Sequence, residues 1–175
     1  MTRLMPRQPV PALRVSTLAG DWDLAAQKPE RFTLVVFYRG LHCPICKTYV
    51  SELDKLVSEF ATRDTGIQVL SSDTRDRAEA ARDNWGLANL NLGYGLTIEA
   101  ARSWGLYVST SRGKTSAGIE EPALFSEPGL FIVRPDGTLY WGSTSTMPFA
   151  RPHFKEILGG LDFVIKVDYP ARGEA

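Results

Sequence analysis

The run RFTLVVFY at 31–38 constrains the fold more than any other segment. It is a near-continuous series of β-branched and aromatic residues. An amphipathic surface strand would alternate apolar with polar, so this one must be covered on both faces, as a central strand of an α/β sheet is. After the break at Gly40, Ile45, Tyr49, Val50, Leu53, Leu56, Val57 and Phe60 recur at three- and four-residue spacing. That spacing predicts a helix over 43–63 with one buried face. The run IQVL at 67–70 then reads as a second strand. Strand, helix, strand implies a crossover and a parallel pair.

The remaining segments fit around this unit. Residues 1–11 read as an extended arm, and β signals at 13–18 and 22–24 flank Gly20-Asp21 as a hairpin. Asp73 is placed to cap a helix over 74–85, a short strand fits within 89–96, and a further helix fits 97–104. Strands at 130–133 and 138–142 flank Pro135-Asp136-Gly137, a turn sequence that predicts an antiparallel hairpin. Helical spacing over 149–167 takes Pro152 into its first turn, and the chain is expected to fray at Pro170. The polar stretch between 108 and 129 is too long for an ordinary connection, so it reads as a functional lid or a disordered loop. A length of 175 residues suits one domain spanning 1–175.

Composition removes several function classes. Twenty Lys plus Arg balance twenty Asp plus Glu, so no basic surface is available for a phosphate backbone and nucleic acid is not expected as a partner. The longest apolar run, 34–38, is far short of the roughly 20 residues of a membrane-spanning helix. Pro6, Pro9 and Pro11 interrupt the region where a secretory signal needs an apolar core, which makes the cytoplasm the expected compartment.

Two cysteines, Cys43 and Cys46, cannot staple a secreted fold. They fall where the central strand gives way to the long helix, in its first turn, where unpaired N–H groups and the helix dipole favour a thiolate. Pro44 suits the first helical position and stiffens the spacer between the sulfurs. A zinc site would need four ligands, and His42 and His153 are the only histidines to add, with His42 adjacent to Cys43 and badly placed to share an ion. No metal or cofactor is expected. The plain alternative is a pair of thiols packed as small hydrophobes.

The run FYRGLHCPIC at 37–46, with the order strand, helix, strand, helix, hairpin, helix, resembles the thioredoxin-like superfamily. Within it the chain is similar, over about 13–167, to peroxiredoxin-like proteins of the alkyl hydroperoxide reductase and thiol-specific antioxidant (AhpC/TSA) type. The resemblance implies an α/β three-layer fold, a central mixed sheet flanked by helices, with an N-terminal β extension. It also implies an oxidoreductase that uses a Cys43–Cys46 couple on peroxides or disulfides, re-reduced by a thioredoxin or glutathione system and compatible with a homodimer. The peroxiredoxin pattern Pro-x-x-x-Thr/Ser-x-x-Cys puts the peroxidatic cysteine at Cys46, but Arg39 and Cys43 stand at its Pro and Thr positions. The family's arginine before the later core strand is missing too, because Glu127-Pro128-Gly129 stands there.

The thioredoxin pattern instead makes Cys43 the more exposed, attacking thiol and Cys46 the resolving one. It gives Pro128 a cis bond facing the sulfurs. Its buried carboxylate falls at Phe37 and is absent, which leaves Glu127 as a substitute proton acceptor or a plain loop residue. Arg39 and His42 are either thiolate-stabilising or solvated. The alternative from another class is a redox-sensing or binding module in which the couple switches a surface formed by 108–129. Either way, mild oxidation is expected to join Cys43 and Cys46 within one chain. Mass spectrometry should show the loss of two hydrogens without a dimer, and two alkylatable thiols after oxidation would count against it.

Overall fold

A computed structural model describes residues 4–175, so the first three residues of the expected arm lie outside the described residues. Every residue of β3 (Phe32–Phe37) is buried, and its alternation divides the core in two. Phe32, Leu34 and Val36 pack with α1 (Pro44–Asp54), α2 (Val57–Ala61), α3 (Arg75–Trp85) and α5 (Phe154–Val167). Val35 and Phe37 face the opposite side, with Trp104 and Leu106 beside α4 (Ile98–Ser103). The two-sided burial read from 31–38 is thus met by helical layers on both faces.

β3 pairs in parallel with β4 (Thr65–Leu70) and antiparallel with β8 (Gly129–Val133). With β1 (Arg14–Thr17), β2 (Gly20–Asp23), β5 (Leu92–Tyr94) and β9 (Leu139–Thr144), these make a mixed seven-stranded sheet of order β2-β1-β5-β4-β3-β8-β9. The β1–β2 hairpin is the N-terminal β extension, and the turn at Gly137 (φ 81°) closes β8 onto β9. The arm lies along the start of β9, with Arg7 N donating to Leu139 O and Leu139 N to Gln8 O, which covers part of that edge. No helix among the described residues is long and apolar enough to cross a membrane.

Four expectations need correction. The helix over 43–63 is broken at Lys55–Leu56, where Leu56 N reaches back three residues to Leu53 O at 2.9 Å. The last helix starts at Phe154 rather than 149, leaving Pro152 in the preceding loop, because Ala150 takes a left-handed conformation (φ 58°) that a helix does not accept. Asp73 does not cap α3; Thr74 holds the cap position, and the Asp73 carboxylate turns toward the β3–α1 loop and Arg77. The tail does not fray at Pro170, since Tyr140 Oη donates to Tyr169 O and Arg7 Nε to Ala171 O, and Ala171 is buried. The 108–129 stretch is ordered as β6 (Val108–Thr110) and β7 (Leu124–Ser126), an antiparallel pair joined by a hairpin.

Asp54, buried at the end of α1, accepts from Asn89 N and Leu90 N at 2.9 Å and from Ala88 N at 3.3 Å. It thereby pins the chain entering β5. Asp54→Ala leaves these donors without a partner and should cost about 2–4 kcal/mol. Denaturant unfolding should show a lower midpoint at unchanged slope, and a loss under about 0.5 kcal/mol would refute the role.

Candidate active site

The site is built by the turn between β3 and α1. Gly40 has φ 134°, and a Cβ there would meet the Asp73 carboxylate at 2.7 Å. Glycine therefore lets the loop run against Asp73, which accepts from Leu41 N at 2.6 Å and from Arg77 Nε at 2.7 Å. Cys43 N donates back to Gly40 O, which delivers Cys43 to the N-cap of α1 with Pro44 at the first helical position. From there Cys43 Sγ accepts the Cys46 N–H at 3.2 Å.

Both cysteines are free thiols and both are buried, so the expected greater exposure of Cys43 amounts to 1% against 0% for Cys46. Their environments differ despite equal burial. Hydrogen bonds from the Cys46 thiol and backbone N–H outweigh the opposing effect of burial and draw the Cys43 pKa well below the ordinary thiol range, helped by the Arg39 and Arg151 charges. Burial pushes the Cys46 thiol up, reinforced by its role as donor to Cys43. One proton held between two sulfurs therefore rests on Cys46.

Arg151 was not singled out in the sequence. It is buried, its guanidinium stacks 3.9 Å over the Tyr49 ring, and Nη1 donates to Cys46 Sγ at 3.8 Å. Tyr49 Oη donates to Pro152 O, fixing the loop that carries it. A second arginine besides Arg39 thus comes from the 145–153 loop, where neither spacing nor a motif marks it.

His42 is fully buried, edge-on to Phe125 at 4.7 Å between ring centroids. Burial lowers its pKa to about 4, so it is a neutral imidazole at neutral pH and supplies no cation to the thiolate. Arg39 is mostly enclosed, 4.7 Å over the Phe125 ring, and pairs with Glu121 at 3.4 Å and Glu127 at 3.3 Å. Glu127 is no exposed loop residue: it is buried, and its Oε1 accepts from Ser109 Oγ at 2.6 Å. The Glu127–Pro128 bond is trans, as are all peptide bonds among the described residues. Glu127 N donates to Tyr107 O and Pro128 O accepts from Ser145 N, so this stretch continues the extended path from β7 into β8. The thioredoxin-type cis proline is therefore absent at Pro128. No three His, Cys, Asp or Glu side chains among the described residues gather to hold a metal.

Solved structures share this architecture. Peroxidoxin BcpB from Mycobacterium tuberculosis superposes with a TM-score of 0.71 at 16% identity, over 93% of this chain and 99% of that one. The AhpC of Mycobacterium bovis gives 0.73 at 19%, over 97% and 96%. The reduced 2-Cys peroxiredoxin of Plasmodium vivax gives 0.75 at 15%, over 95% and 86%. At these identities the likeness establishes the thioredoxin-like fold. No curated protein sequence matches the chain. The model of the AhpC/TSA family matches residues 6–141, from the arm through the cysteine pair into β9. A match over that much of the sequence, around a buried dithiol at a helix N-terminus, makes this chain a member of the AhpC/TSA family and a thiol-dependent oxidoreductase.

Proposed function

We propose that Cys43 is the attacking thiolate and Cys46 the resolving thiol in the reduction of hydroperoxides. The observation that carries this reading is the Cys46 N–H donating to Cys43 Sγ at the N-cap, which stabilises negative charge on Cys43 alone. The Cys43 thiolate attacks the terminal oxygen of the hydroperoxide and the O–O bond breaks. Cys43 becomes a sulfenic acid and the alkoxide takes the Cys46 proton to leave as an alcohol. The Cys46 thiolate then attacks the Cys43 sulfur and displaces hydroxide, which solvent protonates. The resulting disulfide takes its electrons back from an external dithiol of the thioredoxin type or from glutathione. Arg39 and Arg151 favour the thiolate through their charge. His42 contributes shape rather than charge.

A second reading rests on Arg151, whose guanidinium lies against Cys46 rather than Cys43. It makes Cys46 the peroxidatic sulfur, as the peroxiredoxin pattern does. Stopped-flow reaction with hydrogen peroxide separates the two. On the proposed reading Cys46→Ser keeps the wild-type rate within about tenfold and accumulates a dimedone-reactive sulfenic acid on Cys43, whereas Cys43→Ser loses about 100-fold or more. The inverse pattern would assign the attack to Cys46.

The pH dependence carries a sign. A Cys43 thiol whose folded pKa is depressed is ionised at lower pH, so the peroxide rate of Cys46→Ser should rise with pH and level off well below about 8.5, the ordinary cysteine value. Arg151→Met removes a cation that favours the thiolate, and the same rise should move to higher pH. A profile unmoved by Arg151→Met would show that the guanidinium has no electrostatic part in the reaction.

A further inference from the structure

The segment between β6 and β7 does more than connect strands. Its hairpin is closed on itself by Thr115 N to Ile119 O, Gly118 N to Thr115 O and Glu121 N to Gly113 O. The closed hairpin is then fastened to the active-site turn at three points. Thr115 Oγ1 donates to His42 O at 2.7 Å, the peptide oxygen next to Cys43. Glu121, buried at 8% side-chain exposure, pairs with Arg39 at 3.4 Å. Arg77 Nη2 donates to Glu120 O at 3.2 Å while its Nε holds Asp73. Beside these contacts His42, Cys43 and Cys46 are all buried, although Ile45, two residues beyond Cys43, is 41% exposed.

We propose that the 111–123 hairpin is a latched gate over the dithiol. In its closed state it admits small hydroperoxides and small thiols and excludes disulfides and dithiols carried by folded proteins, so that glutathione reaches the closed site and a thioredoxin-type reductant only the opened one. The proposal rests on the reading of Cys43 as the attacking sulfur and names the substrate class of that site. Thiolate attack on a disulfide needs the target sulfur brought into line with the nucleophile, which carries the partner's chain against the His42–Cys43 peptide. That position is taken by Thr115. A hydroperoxide presents two oxygens and brings no chain with it. The latches are few and lie at the rim of the site, so the gate opens by breaking them without unfolding the sheet.

The test compares access rather than turnover. Reduced wild type, Thr115→Val and Glu121→Gln are each reacted with N-ethylmaleimide and with a polyethylene-glycol maleimide of several kilodaltons, and the ratio of bulky to small rates is taken. A change in thiolate fraction multiplies both rates alike, so the ratio reports access. Loosening a latch should raise it by about tenfold or more relative to wild type. A ratio equal to wild type in both variants would overturn the gate. Hydrogen exchange on the unaltered protein guards against variants that fail to fold: amides of Thr115, Gly118 and Glu121 should exchange faster than those of β3. Equal protection would likewise overturn it. Hydrogen peroxide kinetics on the same samples keep the two ideas apart. A shifted ratio in a protein inert to peroxide sinks the Cys43 peroxidase reading alone, and an unshifted ratio in an active protein sinks the gate alone.

Discussion

A single buried carboxylate, Asp73, ties the redox site to the fold. A lone buried charge would be costly, so the Arg77 guanidinium is drawn to it, and the carboxylate's second oxygen takes the Leu41 N–H. Those two contacts bend the chain between β3 and α1, and they leave room at residue 40 for glycine alone. Asp73 O also accepts from Gly95 N, so the same residue braces the turn after β5. Arg77, fixed in this way, reaches His42 Nδ1 and Glu120 O with its other nitrogen. One ion pair therefore sets the path of the cysteine loop and the seat of the hairpin that rests on it.

The electrostatics of the dithiol follow from unequal solvation by the protein. Both cysteines are buried, so charge goes to whichever sulfur the protein solvates better. Cys43 has the helix N-terminus and a donor at 3.2 Å, while Cys46 has burial and one long contact to Arg151. Arg39 is held partly in check by two carboxylates, Glu121 and Glu127, and by the Phe125 face. Its pull on Cys43 is therefore weaker than that of a free guanidinium at the same place. The two sulfurs are linked: negative charge on Cys43 and the hydrogen bond it accepts help hold the proton on Cys46, while the Arg151 charge works the other way and favours a Cys46 thiolate.

The sheet and the cysteine site were legible because both are written in local patterns. A run as rich in β-branched and aromatic residues as 31–38 is buried on both faces at the centre of a layered fold, and two thiols three apart beyond a strand have few other uses. What escaped the sequence depends on contacts distant in the chain. The break at Lys55–Leu56 does not disturb helical spacing, since Phe60 still reaches the same core. The carboxylate of Asp73 sits where a helix cap is expected, and its partner Leu41 lies 32 residues away. The 108–129 stretch is polar and aperiodic because it binds the rim of a site through side chains and carbonyls, a role that leaves no hydrophobic period. The thioredoxin resemblance implies a cis bond at Pro128, and the ladder through Ser145 N gives that stretch a trans, extended path instead.

Arg151 shows that a guanidinium can stand beside the sulfurs without occupying the position where the family pattern has its arginine. In this fold Gly129, the first residue of β8, has no room for a long cationic side chain, because even a Cβ there would run into the Leu106 side chain and press on Phe131. The neighbouring positions are spoken for, Glu127 by Arg39 and Ser109, and Pro128 by its ring. A guanidinium near the sulfurs has to arrive from another strand end, and the loop after β9 supplies it. Left-handed Ala150 turns the chain inward, Tyr49 on α1 provides a ring for the cation to lie on, and the Tyr49 hydroxyl holds the next carbonyl but one to the same helix. The requirement that chemistry imposes is a charge at a point in space, and the fold meets it with whichever loop has room.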